Sequence, residues 1–543
     1  MTIDAYHTTF PRAKSSGIVG PLRTLHHAVR DSRRQQDIAV AAIVAVHLLI
    51  ALFLIWELPI WRDEAHSLGT TADGFLTAVR RGIYYELQPP AYFALLGLWR
   101  EINGSIFFAR LPSVLFTGGF VALLVPLTRR YLTSSLVPLV VAVGALNPFV
   151  YFAAVEIRLY AMALFLSAAN LLFFHKSFLT EDERPSEFKP PVWFVLTAAV
   201  MLYTQYYLGF LFLGEFVALV VLRRWRSAVR LALTGVVVAV LALPLLSILP
   251  VHMGNHLSAS AAFPGVVAAS RFVSGDMLDM VLPHKVELGS MLERILRYGF
   301  VLVAGLLYGL GFRRAHDGQK ALLLVFVTVA LLFVLTVSFI TGTEMMVKRH
   351  YVGLFPHLLI LIVGLILPWR AVLAGGARHL PVFLAVLLVG VTAFGTYTRF
   401  HELTKLGSFD EVATYVETRE REGDLLLSYP PEAAETLSHY YGGPNQLRHL
   451  PEPIDFDETL DYSQPGWRLR ELIDAQEAIR MLAANPAGFE HVWLVTNESH
   501  AQIISAGERH AVTTPLVEAF GPPTLFTVKN GTGIRRFDRR PSE

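Results

Sequence analysis

The sequence predicts a polytopic α-helical membrane protein that ends in a smaller soluble α/β domain. Of the 543 residues, 53% are hydrophobic and only 17% are charged, whereas soluble domains carry about 25% charged residues. The mean hydropathy of +0.47 also indicates that much of the chain lies in lipid. The apolar residues form long runs before residue 398, and the remaining residues alternate between helical and strand-like patterns.

The net charge of +2 conceals two parts of opposite sign. Residues 398–543 contain 14 basic and 23 acidic side chains, a net charge of −9, which leaves +11 for residues 1–397. We therefore place a domain boundary near residue 398, since a compact domain has about 100–150 residues. The composition excludes an ordinary cytosolic enzyme, a disordered chain and a nucleic-acid partner. Because the sequence has no cysteine, it also excludes disulfides, zinc-thiolate sites, iron–sulfur clusters and cysteine nucleophiles.

Crossing the hydrocarbon core of a bilayer takes about 20 mostly apolar residues. We predict eleven spans, of which the fifth and sixth are short and form a hairpin around Thr204-Gln205-Tyr206-Tyr207. They are residues 38–58, 111–128, 132–152, 159–178, 191–205, 207–222, 229–249, 295–312, 320–341, 351–368 and 379–397.

Basic residues predict the orientation of these spans. Lys and Arg are concentrated in the N-terminal arm, residues 1–36, and in alternate short connections, which are therefore predicted to be cytoplasmic. An odd number of spans then places the domain 398–543 outside the cytoplasm. The membrane domain, residues 37–397, has two long external loops at 59–110 and 250–294. The rich usage of Ala, Leu and Arg favours a bacterial plasma (inner) membrane.

The first external loop holds the strongest candidates for chemistry. Asp63 and Glu64 follow the first span directly, in the run Trp61-Arg62-Asp63-Glu64-Ala65-His66. A solvated turn or a helix N-terminus is the alternative for such an acidic pair. Downstream, Gln88-Pro89-Pro90-Ala91-Tyr92-Phe93 predicts the start of a short helix, and the loop closes with Phe108-Ala109-Arg110-Leu111-Pro112.

These motifs, in this order, resemble the GT-C class of glycosyltransferases. The resemblance is to the dolichyl-phosphate-mannose-type protein O-mannosyltransferases and the bacterial lipid A aminoarabinose transferase, and it covers essentially the whole chain at low density. Later motifs extend it: Asn147-Pro148, Glu156-Ile157-Arg158-Leu159-Tyr160, Tyr203-Thr204-Gln205-Tyr206-Tyr207, Arg349-His350-Tyr351 with Pro356, and Gly423-Asp424 with Tyr440-Tyr441-Gly442. Gln88 and Gln205 stand where relatives often carry His, and His350 is inserted in the Arg-Tyr element.

The resemblance implies a membrane enzyme that moves a sugar from a polyprenyl-phosphate-linked donor to an envelope glycan, lipid or protein, with inversion. Asp63 is the candidate base or acceptor-orienting carboxylate, and Glu64 would support the binding of an acceptor or a metal. The candidate substrate-binding residues are Gln88, Pro90, Arg110, Glu156, Arg158, Tyr160, Gln205, Tyr206, Tyr207, Lys348, Arg349, His350 and Tyr351.

Cationic side chains would hold the departing phosphate, because guanidinium groups match phosphate geometry. Arg110, Arg158, Lys348 and Arg349 all lie at predicted outer helix ends; the alternative is that they anchor those ends to headgroups by snorkelling. A divalent cation is an open prediction, with Asp63, Glu64 and Glu156 as candidate ligands.

Two other functions compete with transfer of a sugar. A transporter or lipid flippase would gather ionisable residues at mid-membrane and show matched broken helices in two halves. Here the ionisable residues concentrate in external loops, although Glu215, His47 and His357 lie within predicted spans. The third alternative is an inactive relative whose external domain binds partners.

Overall fold

The computed structural model describes residues 19–180, 191–252, 265, 280, 317–331, 348–365, 380–457, 467–483, 489–497 and 506–539. Within that part of the chain, the protein is a polytopic helical membrane protein. Five helices are long and apolar enough to cross a bilayer. The spanning segments are Arg33–Glu57, Ile106–Tyr131, Tyr160–Leu179, Trp225–Leu246 and Val382–Phe400.

The helices before the soluble domain are numbered in chain order. They are α1 (Val19–Glu57), α2 (Arg62–Thr70), α3 (Phe75–Tyr84), α4 (Ala91–Arg100), α5 (Ile106–Tyr131), α6 (Val137–Ala145), α7 (Pro148–Val155), α8 (Tyr160–Phe174), α9 (Val192–Thr204), α10 (Gly209–Val221), α11 (Trp225–Leu246), α12 (Asp317–Leu331), α13 (Phe355–Leu365) and α14 (Leu380–Phe400). Helix α8 continues into a π-helical turn, His175–Leu179, and 3-10 turns occupy Ser134–Leu136, Tyr206–Leu208 and Lys348–Leu354.

The predicted third span, 132–152, is two helices and not one. Residues Ser134–Ala145 and Pro148–Val155 are bent by 54° at the break between them. Pro148 has no N–H to continue the α6 hydrogen bonds, and its fixed φ suits the first turn of a new helix. The Asn147 side chain caps that turn by accepting from the Phe149 N–H at 2.8 Å. The sequence contains the signal for this break, Asn147-Pro148 inside an apolar run, but the predicted span 132–152 treats the run as one helix.

The fifth and sixth predicted spans are also shorter than a membrane crossing. Helices α9 and α10 have 13 residues each, or about 20 Å at 1.5 Å per residue, against about 30 Å of hydrocarbon. Gln205 adopts an extended backbone between them, with φ −159° and ψ 124°. The break predicted at this hairpin is confirmed. The count of eleven spans is not confirmed, and the eighth predicted span and most of the loop 250–294 lie outside the described residues.

A mixed sheet forms the core of the domain after residue 398. Its strands are β1 (Leu425–Tyr429), β2 (Leu447–His449), β3 (His491–Asn497), β4 (Leu525–Lys529) and β5 (Thr532–Asp538), and its helices are α15 (Phe409–Glu417), α16 (Pro431–Ser438), α17 (Trp467–Ala483) and α18 (Ala506–Phe520). The strand order is β2-β1-β3-β5-β4. Strands β2, β1 and β3 are parallel, and β5 is antiparallel to β3 and β4.

The sheet is packed on both faces by apolar side chains. All five residues of β1 are buried, and Trp493 of β3 is fully buried. A hairpin closes the sheet, with the turn at Asn530-Gly531 between β4 and β5. Helix α16 packs against α2, so the domain is seated on the segment between α1 and α5 that carries Asp63 and Glu64.

Candidate active site

The acidic pair lies in the first turn of helix α2, where carboxylates interact favourably with the helix dipole. Asp63 is 6% exposed and Glu64 is fully buried. The pair is therefore not a solvated turn, because both side chains are buried, but the other alternative, a helix N-terminus, does describe its position. Buried carboxylates need hydrogen bonds and opposite charges, and the two residues satisfy that need with different partners.

Glu64 forms a bidentate ion pair with Arg110 of α5. The Arg110 Nε donates to Glu64 Oε1 and the Nη2 to Oε2, each at 2.9 Å. Nη1 donates to the carbonyls of Ile55 and Leu58, and Nη2 also donates to Pro59. These contacts use all three guanidinium nitrogens of Arg110, and they supply hydrogen bonds to backbone carbonyls at the C-terminal end of α1. The role of Arg110 as a phosphate ligand stays a prediction that this geometry does not support.

A second ion pair joins the first and includes a residue that the sequence did not suggest. The Lys405 ammonium lies 2.5 Å from Glu64 Oε2 and 3.0 Å from Glu156 Oε1. The Trp61 indole N–H donates to Glu156 Oε2 at 2.5 Å. Glu64, Glu156, Arg110 and Lys405 thus form a buried cluster of two negative and two positive groups, hereafter the charge cluster.

The pKa values in the charge cluster follow from burial and charge. Burial alone would raise the pKa of Glu64, but Arg110 and Lys405 outweigh it and hold that pKa below its usual value. Burial raises the pKa of Glu156, opposed by Lys405 and reinforced by Glu64. Burial lowers the pKa of Lys405, against the attraction of the two carboxylates.

Asp63 faces a different group of charges. It lies beside Arg62, with the Nε–Oδ1 distance at 3.6 Å. Burial opposes the charge of Arg158, but Glu86 and then Asp63 raise the pKa of Arg158 above its usual value. Arg158 donates to Glu86 Oε2 at 2.6 Å, and the side chains are 12% and 7% exposed. The structure thus brings the predicted base and one predicted phosphate ligand into one electrostatic group.

Arg158 keeps unused hydrogen-bonding capacity in this group. Its buried Nε has no hydrogen-bond partner within the described part of the chain. The Glu86 partner is fixed by Thr70, whose hydroxyl donates to Oε1 at 3.2 Å. Leu87, next in the chain, has φ +51°, a left-handed conformation that is rare for such a side chain and is often found at functional sites. This strained turn leads directly into Gln88 and Pro90.

His66 also faces Asp63 and was not predicted as a site residue. Its Nδ1 is 2.9 Å from the Tyr85 hydroxyl. Burial, with smaller contributions from Arg62 and Arg158, lowers the pKa of His66 to about 3, against the attraction of Asp63. His66 is therefore neutral at physiological pH. His66 lies one helical turn beyond Arg62 on α2, and this spacing is the signal in the sequence that places it near the acidic pair.

The low pKa of His66 predicts a pH dependence of stability. An unfolded His titrates near 6.5, so between about pH 6.5 and pH 3 the unfolded chain binds a proton that the folded chain does not. Folding stability is therefore expected to fall as the pH falls through this range. The apparent unfolding midpoint in detergent between pH 7.5 and 4.5 should decline more steeply for the wild type than for His66→Gln. Parallel curves would contradict this, and His510→Gln, an exposed site, is the control.

A loop of the domain after residue 398 covers His66. Phe456 packs against Tyr85 at a centroid distance of 4.7 Å and against His66 at 6.4 Å. A side chain at position 69 would collide with the Phe456 ring, so glycine permits this close approach. Asp457 accepts from Arg81 Nε and Nη2, both at 3.1 Å, and these bonds lower the pKa of Asp457.

The residues of the predicted hairpin are connected to α3 through His252. The Tyr206 hydroxyl is 3.0 Å from His252 Nδ1, and His252 Nε2 is 2.7 Å from the Ile83 carbonyl of α3. Gln205 is buried, and its Oε1 has no hydrogen-bond partner among the described residues. Tyr207 and Tyr351 line a small apolar cavity together with Leu208 and Leu354.

The remaining predicted residues are placed as follows. Pro90 precedes the first turn of α4, as expected from its fixed φ. Tyr160 is buried and stacks on Phe152 at 5.6 Å. Gln88 is partly buried at the strained turn. The side chains of Lys348, Arg349 and His350 lie outside the described residues, so their roles stay predictions.

The three candidate metal ligands do not form a ligand set. Glu64 and Glu156 already receive hydrogen bonds from Arg110, Lys405 and Trp61, and Asp63 faces cations. Over the described residues, no group of three or more His, Asp or Glu could hold a metal ion. The donor set as arranged does not fit a divalent cation.

Comparisons with known proteins give structural matches only. No family model matches the chain, and no curated protein matches it. Among solved structures, ArnT from Cupriavidus metallidurans bound to undecaprenyl phosphate is 14% identical, with a TM-score of 0.48, over 92% of this chain and 97% of that one. AglB, the oligosaccharyltransferase of Archaeoglobus fulgidus, in complex with an inhibitory peptide and a dolichol-phosphate, is 10% identical, with a TM-score of 0.43, over 91% and 74%. Both are GT-C glycosyltransferases, the class that the sequence motifs resemble.

Proposed function

We propose that this protein is an integral-membrane glycosyltransferase that uses a polyprenyl-phosphate-linked sugar. The observation that carries the proposal is the electrostatic interaction of the buried Asp63 carboxylate with Arg158, which also forms an ion pair with Glu86. Displacement of a lipid phosphate needs a carboxylate to orient or deprotonate the acceptor and a cation to stabilise the departing phosphate. Asp63 and Arg158 supply one group of each kind within electrostatic reach of each other.

The proposed reaction is a single inverting displacement. An acceptor oxygen attacks the anomeric carbon, its proton passes to Asp63, and the bond from that carbon to the phosphate oxygen breaks. Arg158, held by Glu86 at 2.6 Å, stabilises the charge that develops on the phosphate. A positioned base contributes about 10²–10⁴ in rate. Glu64, whose oxygens are occupied by Arg110 and Lys405, would act by positioning Asp63 and would not touch the substrate.

The proposal includes a location and partners. The enzyme would lie in a bacterial plasma membrane, with the N-terminus in the cytoplasm and the domain after residue 398 outside. Its partners would be the bilayer, the lipid-linked donor, and a glycan, lipid or protein of the envelope as acceptor. Neutral His66 and the hairpin residues Gln205 and Tyr206 are proposed to line the sugar side of the site.

The test compares the envelope glycans of cells with and without the gene by mass spectrometry. We expect one defined sugar modification to disappear on deletion and to return with the wild-type gene. That sugar would identify the donor, and its attachment point the acceptor. An unchanged glycan profile would overturn the proposal, and altered uptake of a solute alongside it would favour a transporter.

A further inference from the structure

Lys405 enters the charge cluster from outside the membrane domain. It lies on the segment between α14 and α15, and its side chain is only 8% exposed. Its ammonium contacts Glu64 Oε2 at 2.5 Å, Glu156 Oε1 at 3.0 Å and the Val155 carbonyl at 3.0 Å. We infer that Lys405 is a positioning residue that sets the placement of Asp63 relative to Arg158, an inference that rests on the proposed function.

Lys405 is linked to Asp63 and Arg158 through residues that are their close neighbours in the chain. Glu64 is the residue after Asp63, and its Oε1 also accepts from the Ile157 N–H at 3.3 Å. Ile157 directly precedes Arg158. Glu156, two residues before Arg158, receives the other contact of the ammonium. Lys405 therefore contacts both Glu64, which is next to the proposed base, and Glu156, which is two residues before the proposed phosphate ligand.

The charges of the cluster require this cation. Two carboxylates face each other in a buried site where Arg110 neutralises one of them. Among the described residues, the other groups that the structure places against the cluster carry no charge at neutral pH: Trp61, Tyr92 of α4, and Tyr440, whose pKa burial raises to about 12. Without Lys405 the cluster would hold one excess negative charge, and the carboxylates would repel each other.

Hydrogen bonds to the domain after residue 398 hold the backbone at Lys405 in place. The Asn530 side chain, in the β4–β5 turn, donates to the Lys405 carbonyl at 2.7 Å. Gly407 N–H donates to the Asn530 carbonyl at 3.1 Å, and the Thr532 hydroxyl donates to the Gly407 carbonyl at 2.9 Å. The Tyr440 hydroxyl accepts from the Ile60 N–H at 2.5 Å. The domain after residue 398 thereby completes the site with a cation that the external loop lacks.

The test combines charge removal with charge balance in full-length protein. Lys405→Met is expected to lower transfer per folded molecule about 100-fold, the loss typical of a misplaced catalytic group. Adding Glu156→Gln to Lys405→Met removes the excess charge and keeps the Glu64–Arg110 pair, so most of the transfer should return. Adding Glu64→Gln to Lys405→Met gives the same net charge but breaks that pair, so transfer should stay low. Lys176→Met, at an exposed lysine, is the control.

A second measurement does not depend on transfer. The chain has no cysteine, so spin labels at Leu76→Cys on α3 and Ser438→Cys on α16, both exposed positions, report how the domain is seated. Lys405→Met should broaden the label distance distribution, and Lys405→Met with Glu156→Gln should narrow it again. Normal transfer by folded Lys405→Met, or equal recovery by the two double variants, would overturn the inference. If Lys405→Met broadens the label distance distribution but the wild type transfers no sugar, the proposed function would instead be overturned.

Discussion

Replacing Asp63 by Asn is expected to abolish sugar transfer while leaving the amount of protein in the membrane unchanged. Asn has nearly the same shape as Asp but cannot accept a proton or carry a negative charge. Loss of a positioned base costs about 10²–10⁴ in rate, so the product should fall by at least about 10². Asp63 is buried beside Arg62 and interacts with Arg158, so the same change also removes the charge that helps to orient the phosphate ligand.

The measurement is the envelope product per folded protein in cells that lack the chromosomal gene. Asp474→Asn, on an exposed face of α17, is the matched control and should transfer normally. Wild-type transfer by Asp63→Asn would exclude this carboxylate as base or orienting group. If the acceptor is an ionised phosphate, the base is less necessary, and a small effect of Asp63→Asn with a large effect of Arg158→Lys would indicate such an acceptor.

The largest effect on stability is expected from breaking the Glu64–Arg110 pair. Both side chains are at most 1% exposed, and Arg110→Met leaves Glu64 with Lys405 as its single ionic partner. Removing one member of a buried ion pair costs about 3–5 kcal/mol because the other charge is left uncompensated. The three carbonyls at the end of α1 that accept from Arg110 would also lose their donor.

The apparent unfolding midpoint in detergent measures this cost. Arg480→Met, at an exposed arginine of α17, should leave the midpoint unchanged. The double variant Glu64→Gln with Arg110→Met should lose less than the sum of the two single variants, since it removes both charges together. Equal midpoints for Arg110→Met and Arg480→Met would show that the pair contributes nothing to folding.

Composition and periodicity predicted much of the helical architecture. The long apolar runs became α1, α5, α8, α11 and α14, because backbone groups in lipid must bond within their own segment. The strand-like runs expected after residue 398 are the strands of the five-stranded sheet. Run length alone did not show that Asn147-Pro148 splits one span into two helices.

The candidate site was predicted only as far as local motifs allow. Asp63 and Glu64 stood out as an acidic pair directly after the first span, and Glu156 and Arg158 stood out through the resemblance to a motif of the GT-C class. The sequence analysis made Asp63 the candidate base and Glu64 a candidate ligand of the acceptor or a metal, and the structure shows that Glu64 is instead paired with Arg110 and Lys405. Lys405 and Glu86 lack any motif, since each matters through a residue distant in the chain.

The sequence by itself determined that this is a multi-pass membrane protein with a polar domain after residue 398, because hydropathy is a sum over neighbouring residues. Only the tertiary structure decided which charges meet. Lys405 reaches Glu64 across 341 positions, and Phe456 reaches His66 from the soluble domain. The energy of an ion pair depends on the distance between the two charges. When the chain folds back on itself, that distance cannot be read from the separation of the two residues in the sequence.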